Sequence, residues 1–465
     1  MKFIFIATLW LLVTCIAKIA FTHLKKKFNQ IPESGLQIFL GLALAAIFSA
    51  TGFSTQFYYF DAHTFFSFLL PPIIFDAGFF MPNRDFFNNF EKIMVFAVIG
   101  TVFNTFAIGG SLAFLSSYKL FSFNPKTSEM LLFASLISAV DPVAVIAVFE
   151  EMHVNKPLFV TVFGEALFND AISVVLFGIF KSFTLAADSV QNIDYFYGII
   201  SFFIVSLGGV LIGVVTAFAT ALLTKYSQCA PVIASLIVFI LSYLGYVVSE
   251  IFSFSSIIAA AVCGMTLRQF IRKNVDSESL SAIKTFTRNL AISSESFTFI
   301  LLGLAVISVP HHWDTLFVIA TIASCLIYRF VAILGLSWIL GCLRNQKINL
   351  NEQLVMCFGG LRGAIAFGIV VSMSDEIEGK QMFTTATLAV IFFSVIIQGM
   401  IIRPLLKVLK IKTLTNEEIS IPDEAGIQKM EISEPNENDN YYKRFKVFRE
   451  KRFGWLTIRN LRNST

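Results

Sequence analysis

Residues 157–180 read Pro-Leu-Phe-Val-Thr-Val-Phe-Gly-Glu-Ala-Leu-Phe-Asn-Asp-Ala-Ile-Ser-Val-Val-Leu-Phe-Gly-Ile-Phe, between Lys156 and Lys181. The stretch is long and apolar enough to cross a bilayer as a helix. Yet Glu165 and Asp170 lie inside it. An acid at the centre of such a helix costs roughly 2.5–3.5 kcal/mol on insertion scales, and intramembrane acids face a cavity or a partner and mark ion or proton paths. The segment therefore points to a polytopic membrane protein that moves ions.

The rest of the chain agrees. Of 465 residues, 56% are hydrophobic and 14% charged, with 53 phenylalanines, too little charge for a soluble protein of this length. Apolar runs predict thirteen spans, near 3–22, 35–52, 62–80, 93–117, 129–149, 158–180, 195–222, 231–249, 254–267, 289–307, 314–340, 354–374 and 382–402. Lys25–Lys27, Arg84, Lys92, Lys156, Lys225, Arg268, Arg272, Lys273, Lys284, Arg288, Arg344 and Lys347 fall on one side, against only Lys119, Lys126, Lys181 and Lys380 on the other. The positive-inside bias makes the first side cytoplasmic, with the N-terminus outside and the C-terminus inside. Ala17-Lys18-Ile19-Ala20 is a passable cleavage site. Cleavage there would invert every later loop, so an uncleaved first span is expected, with Lys18 snorkelling to the interface. Cys15, Cys229, Cys263, Cys325, Cys342 and Cys357 show neither zinc spacing nor a disulfide framework and read as buried thiols.

Spans 1–6 and 8–13 would form two inverted six-helix repeats with span 7 as linker. The argument rests on helix breakers at matching places: Asp141-Pro142 in span 5 and Gly359-Gly360-Leu361-Arg362-Gly363 in span 12. Broken helices in corresponding positions point to a midplane site, where freed carbonyls and half-helix ends meet ions. Gly209 and Gly213 in span 7 permit close helix approach, either within the chain or at a dimer face.

Asp141 and Asp170 both fall near the midplane. A hard cation such as sodium wants oxygen ligands. Asn169 offers an amide and Ser138 a hydroxyl one turn before Pro142. A carboxylate there holds a proton or a cation, but not comfortably neither, and one site shared by competing ions is the minimum machinery of an exchanger. Glu165 and Glu295 are expected to pair with Arg329 and Arg362 as structural ion pairs. Asp141 is expected either to ligate or to cap its broken helix, and Asp76 either to line a pathway or to sit at the interface. His311-His312-Trp313 reads as an interfacial loop. No cofactor, resident metal or nucleic-acid partner is expected.

These residues resemble the sodium/proton exchangers of the monovalent cation–proton antiporter superfamily, from about Leu9 to Leu406. Phe68 to Gly78, Ser138 to Val145, Phe163 to Ala171 and Gly359 to Phe367 carry the resemblance, and their shared order and spacing make it specific. It implies exchange of sodium or lithium for a proton, one for one, by elevator-like alternating access in a homodimer. It puts the essential acid at Asp170, with Asn169 and Asp141 beside it, and the Asn-Asp pair is the form associated with electroneutral exchange. It makes Leu69, Pro71, Pro72, Phe75 and Asp76 the region of amiloride-type inhibitors, although Phe75 replaces the commoner Leu. Asp76 is usual in the plasma-membrane branch.

Residues 1–408 are thus expected to be the exchange domain and 409–465 a short cytoplasmic regulatory tail. The acidic, polar stretch Asp423–Asp439 departs from the amphipathic helix that binds a calcineurin B-like partner in the family, which counts against that partner. Tyr442–Arg462 is basic with interleaved aromatics and is expected to touch anionic lipid. The Asn463-Ser464-Thr465 sequon would stay unused in the cytoplasm. The alternatives are an endomembrane exchanger of sodium or potassium, and a cation channel, against which opposed broken helices argue. An intramembrane enzyme lacks its motifs: neither Gly-x-Gly-Asp nor Gly-x-Ser-x-Gly occurs.

Overall fold

The computed structural model describes residues 8, 12–21, 32–51, 62–123, 125–141, 145–146, 148–149, 152, 154–186, 191–226, 231–344 and 348–411. The regular elements among them are all helices, as lipid demands of a backbone that must satisfy its own hydrogen bonds. Apart from the short helix Asn83–Asn88, they are in chain order α1 (Leu12–Phe21), α2 (Glu33–Thr51), α3 (Ala62–Phe80), α4 (Phe90–Ser117), α5 (Thr127–Ile137) and α6 (Lys156–Ala186). There follow α7 (Asn192–Tyr226), α8 (Pro231–Ile251), α9 (Ser256–Asn274), α10 (Ser277–Ser308) and α11 (Thr315–Arg344). The set closes with α12a (Leu350–Phe358), α12b (Ala364–Val371) and α13 (Lys380–Val408). Each expected span has its helix, and the protein is a multi-pass membrane protein. The Tyr442–Arg462 and Asp423–Asp439 readings, and Pro142, lie outside the described residues.

One boundary moves far. Span 10 was expected from 289, but α10 begins at Ser277. Asp276 caps it by accepting from the Ser279 N–H at 3.1 Å. The polar residues that follow therefore form amphipathic turns at the membrane edge instead of a loop. Lys18 does not merely snorkel: it pairs with Glu33 at the start of α2, at 2.8 Å.

The repeats cross through glycine. α2 packs on α10 at Gly41 and Gly303, and α3 packs on α9 at Gly78 and Gly264, so the two contacts exchange under the inverted repeat. A Cβ on Gly303 would sit 2.9 Å from the Gly41 Cα, and one on Gly264 would sit 2.8 Å from the Phe75 carbonyl oxygen. Only glycine lets these backbones approach so closely. Gly209 and Gly213 of α7 are spent within the chain: a Cβ on either would lie 2.5 Å from a carbonyl oxygen of Ser255 or Ala259 respectively.

At one end, Asp314 ties the segment after α4 to the start of α11. Its carboxylate accepts from the Ser122 N–H at 2.6 Å, the Ser122 hydroxyl at 2.7 Å and the Phe317 N–H at 3.0 Å. His312 Nε2 lies 3.0 Å from the same hydroxyl, and His311 spans from the Val306 carbonyl (2.7 Å) to Thr385 (3.3 Å). Trp313 is exposed. Burial works to raise the Asp314 carboxyl, but the accepted hydrogen bonds outweigh it and hold the group below the ordinary carboxylate range. A depressed carboxyl stabilises the fold above its unfolded pKa and loses that contribution as pH falls through the folded value. Asp314→Asn should therefore cost about 1–2 kcal/mol at neutral pH. In thermal unfolding in detergent, the gap to wild type should close below about pH 4, the ordinary aspartate range.

Candidate functional site

The two breaks meet. α5 ends at Ile137 and α12a at Phe358, and the connecting chains cross, with the Asp141 N–H donating to the Leu361 carbonyl at 2.7 Å. Gly363 is obligatory at the crossing, because a Cβ there would collide with the Asp141 carboxylate. That carboxylate consequently lies against the first residues of α12b, the positive end of a helix dipole. Gly360 makes room in the same way for Arg329, whose Nε would be 2.6 Å from a Cβ. Gly359 closes α12a with its N–H on the Val355 carbonyl at 2.8 Å.

The exposed C-terminal carbonyls of both half-helices are covered by guanidinium groups. Arg362 Nη1 donates to the carbonyls of Ser138 (2.7 Å) and Ala139 (3.0 Å) at the end of α5. Arg329 Nη2 donates to the Met356 carbonyl of α12a at 3.0 Å. Cations at helix C-termini oppose the negative dipole end. Arg329 also grips Glu165 through both nitrogens, Nη1 on Oε1 and Nη2 on Oε2 at 3.1 Å, with both side chains buried. Of the four residues expected to form ion pairs, only these two do so among the described residues. Arg362 takes backbone carbonyls instead, because the broken helix presents acceptors that no residue type announces. Glu295 is half-buried and, among the described residues, makes no hydrogen bond or ion pair.

Asn169 is held at both ends of its amide. Its Oδ1 accepts from the Val140 N–H at 2.9 Å, and its Nδ2 donates to the Thr101 hydroxyl at 2.5 Å. Thr101 spends its own proton on the Ala97 carbonyl at 2.5 Å, so it can only accept from the amide, and this fixes the amide's orientation. Thr101 directly follows a π-helical segment of α4, Val95–Gly100. The second repeat mirrors the device. Ser394, within the π-helical segment Phe393–Gln398 of α13, accepts from the Arg362 N–H at 3.0 Å and donates to the Arg362 carbonyl at 3.1 Å. Neither hydroxyl was singled out from sequence, although each is a polar residue in an otherwise apolar run. Thr101→Val would orphan a buried amide donor, costing about 1–3 kcal/mol. It should lower apparent cation affinity in flux assays on folded protein, and Thr101→Ser should restore it.

Ser138 is buried, with its hydroxyl donating to Ala134 at 2.7 Å, so only its lone pairs face other groups. Asp170 is 3% exposed and lies within electrostatic reach of Asp141 and Arg362. Among the described residues its carboxylate has no hydrogen-bond or ion-pair partner. Among the described residues no guanidinium is in contact with it.

The Leu69–Asp76 region lies apart, on α3. A π-helical segment ends at Leu69, and Pro71 and Pro72 occupy the first turn of the α-helix that follows, where missing N–H groups cost least. Phe75 is buried and stacks on Phe79 with ring centroids 5.7 Å apart. Asp76 is buried and pairs with Arg288 of α10 at 3.0 Å, a partner that the sequence reading does not name. The expectation missed this because Arg288 was assigned to a loop, while α10 starts early enough to carry it inward. No group of three or more potential metal-ligating residues occurs among the described residues.

Comparison with known proteins agrees with this geometry. The chain is 50% identical over 410 residues to the probable Na(+)/H(+) antiporter nhx-9 of Caenorhabditis elegans, covering 88% of this chain and 61% of that protein. It is 43% identical over 420 residues to sodium/hydrogen exchanger 3 of Mus musculus, covering 89% of this chain and 50% of the relative. The chain thus spans between half and two thirds of the length of such relatives. In fold it is similar to the sodium proton antiporter MjNhaP1 from Methanocaldococcus jannaschii, with a TM-score of 0.64 at 18% identity, covering 89% of this chain and 99% of that one. The family profile described as sodium/hydrogen exchanger, transmembrane, matches residues 11–408, and the chain belongs to that family.

Proposed function

We propose that this protein is an electroneutral antiporter that takes in sodium from outside and expels a proton from the cytosol, regulating intracellular pH and sodium. The observation that carries the reading is the buried Asp170 carboxylate, which has no hydrogen-bond or ion-pair partner among the described residues. An unpaired buried charge is costly, so the group is driven to bind a proton or a cation. Three other charges of the centre have their own compensation: Glu165 from Arg329, Asp141 from the start of α12b, Arg362 from the carbonyls of α5. A single site that holds either one sodium ion or one proton carries the same net charge in both loaded states, which gives one-for-one, electroneutral exchange.

Alternating access follows from the crossing. The backbone bond from Asp141 to Leu361 and the Arg362 contacts bind both broken helices into one unit, which carries Asp170 past the glycine-crossed framework of α2, α3, α9 and α10. Asn169 holds the break of α5 in shape, and Ser394 that of α12. The loop charge bias supports an outside N-terminus and a cytoplasmic C-terminus. The family resemblance supports a homodimer and residence at the plasma membrane.

The test is flux in proteoliposomes with a pH dye. An outward sodium gradient should acidify the lumen, an inward one should alkalinise it, and clamping the membrane potential should change neither rate. A current that follows the potential would refute electroneutral exchange, and potassium replacing sodium with equal effect would refute sodium selectivity.

A further inference from the structure

Beside the crossing, between α11 and α13, lies a narrow cavity for which the exchange reaction has no use. Cys325 and Arg329 of α11, Gly360 and Arg362 of the α12 break and Gln398 of α13 supply its polar wall. The rest of the lining is apolar, from Ile322, Leu326, Val390 and Phe393. The room for the centre of a small molecule is about 10 Å³. A water needs roughly 10–15 Å³ of such room and two to four polar partners. The cavity is therefore the size of one water, and too small for a lipid chain.

Two groups in that wall are left unmet by the fold. The Arg329 Nη atoms are spent on Glu165 and on the Met356 carbonyl, but Nε is buried and makes no hydrogen bond among the described residues. The Gln398 amide, on a side chain 6% exposed, makes none either. A buried donor on a charged group is costly to leave bare, and folded proteins answer such groups with ordered water where there is room. Gly360 keeps the approach open, since a Cβ there would stand 2.6 Å from Nε. Across the cavity, Arg362 lies within hydrogen-bond reach of the Cys325 sulfur. Gln398 closes the π-helical segment Phe393–Gln398, four residues after the Ser394 that clamps the Arg362 peptide. One short π-helical segment, a feature frequent at functional sites, thus carries both that clamp and a free amide on the wall it shares with Arg329.

We propose that this cavity binds one ordered water, which accepts from the Arg329 Nε–H and donates to the Gln398 amide oxygen, and that Gln398 is thereby a positioning residue for Arg329. The water's other proton and lone pair are left for Cys325 and Arg362. With the water bound, every nitrogen of the Arg329 guanidinium is bonded, and the cover of α12a is tied to α13 as well as to α6. Both arginine covers then hang on the same π-helical segment, Arg362 through Ser394 and Arg329 through Gln398. The inference rests on the fold alone and is independent of which ion is exchanged.

The full chain would be imaged at a resolution that shows ordered water, as wild type, Gln398→Met and Gln398→Glu. Methionine matches glutamine in size but lacks its acceptor oxygen, and glutamate keeps one. Bound water would also be read in solution by X-ray radiolysis, in which radicals formed from it oxidise adjacent side chains. Cys325 is the reporter, and Cys263, a second buried free thiol that does not line the cavity, is the control. Wild type should show density for one water on Arg329 Nε and oxidise Cys325 well above Cys263. Gln398→Met should lose the density, oxidise Cys325 several-fold less and melt earlier, and Gln398→Glu should restore all three. Wild type with no such density and Cys325 no more oxidised than Cys263 would overturn the proposal. A Gln398 amide bonded directly to Nε would also overturn it. So would a bromide peak in the cavity after a halide soak, in favour of an anion. Water retained in Gln398→Met would overturn the role given to Gln398, and the wild-type map decides the site even if that variant fails to fold.

Discussion

Asp170→Asn is expected to abolish sodium-dependent recovery of pH after an acid load while leaving the protein folded. Asparagine keeps the shape and loses the charge. Asp170 has no hydrogen-bond or ion-pair partner among the described residues, so the substitution breaks no contact. Instead it removes a buried charge that the fold does not pair, and such removals are neutral or stabilising, here by about 0–2 kcal/mol. The expected signature is therefore two-sided: flux at the background of empty liposomes, and a melting temperature equal to or above that of wild type. An inactive variant that also melts early would mean that Asp170 is structural. An active variant would place the exchange site on another acid, of which Glu295, half-buried and without an ion-pair partner among the described residues, is the next to test.

The opposite pattern is expected where the fold has paired its charges. Breaking a buried ion pair by removing one partner costs about 3–5 kcal/mol, because the other charge is left behind. Glu165→Ala strands the Arg329 guanidinium, which cannot shed its proton. Arg329→Met strands a carboxyl that a proton can neutralise, but it also uncovers the Met356 carbonyl at the end of α12a. Both single variants should melt much earlier than wild type and reach the cell surface poorly. The double variant should lose less than the sum of the two, since neither charge is then orphaned. A double-mutant cycle on melting temperature in detergent measures this, and strict additivity would show that the pair contributes nothing as a pair.

The sequence reveals most of the helices because lipid makes their signal large: twenty apolar residues leave little choice. The two breaks are also legible, since Pro142 and the Gly359–Gly363 cluster stand out within such runs. Glu165 and Arg329 are legible as ion-pair formers, because an intramembrane acid and an intramembrane base have few alternatives, but the sequence does not match one with the other, since Glu295 and Arg362 are equal candidates. What stays hidden involves the backbone. Arg362 finds its partners in the carbonyls of Ser138 and Ala139, and Asn169 in the N–H of Val140, groups that every residue carries and no pattern marks. The Gly41–Gly303 and Gly78–Gly264 crossings join residues far apart in the chain, with no local motif like that of Gly209 and Gly213. The start of α10 was misplaced because amphipathic turns at a membrane edge look like a polar loop to a hydropathy reading, and with it went the Asp76–Arg288 pair.

The pairing at the centre also sets an order of events during synthesis. Glu165 lies 164 residues before Arg329, and Ser138 lies 224 residues before Arg362. Translation delivers the acids and the bare end of α5 first, and the cations that answer them only in the second repeat. Until then the growing chain holds Glu165 and Asp170 in a membrane environment with neither Arg329 nor Arg362 at hand, a state that must be tolerated through protonation or contact with water. The first repeat is thus a debtor to the second, and the arrival of Arg329 and Arg362 is the moment at which the nascent protein becomes at home in lipid.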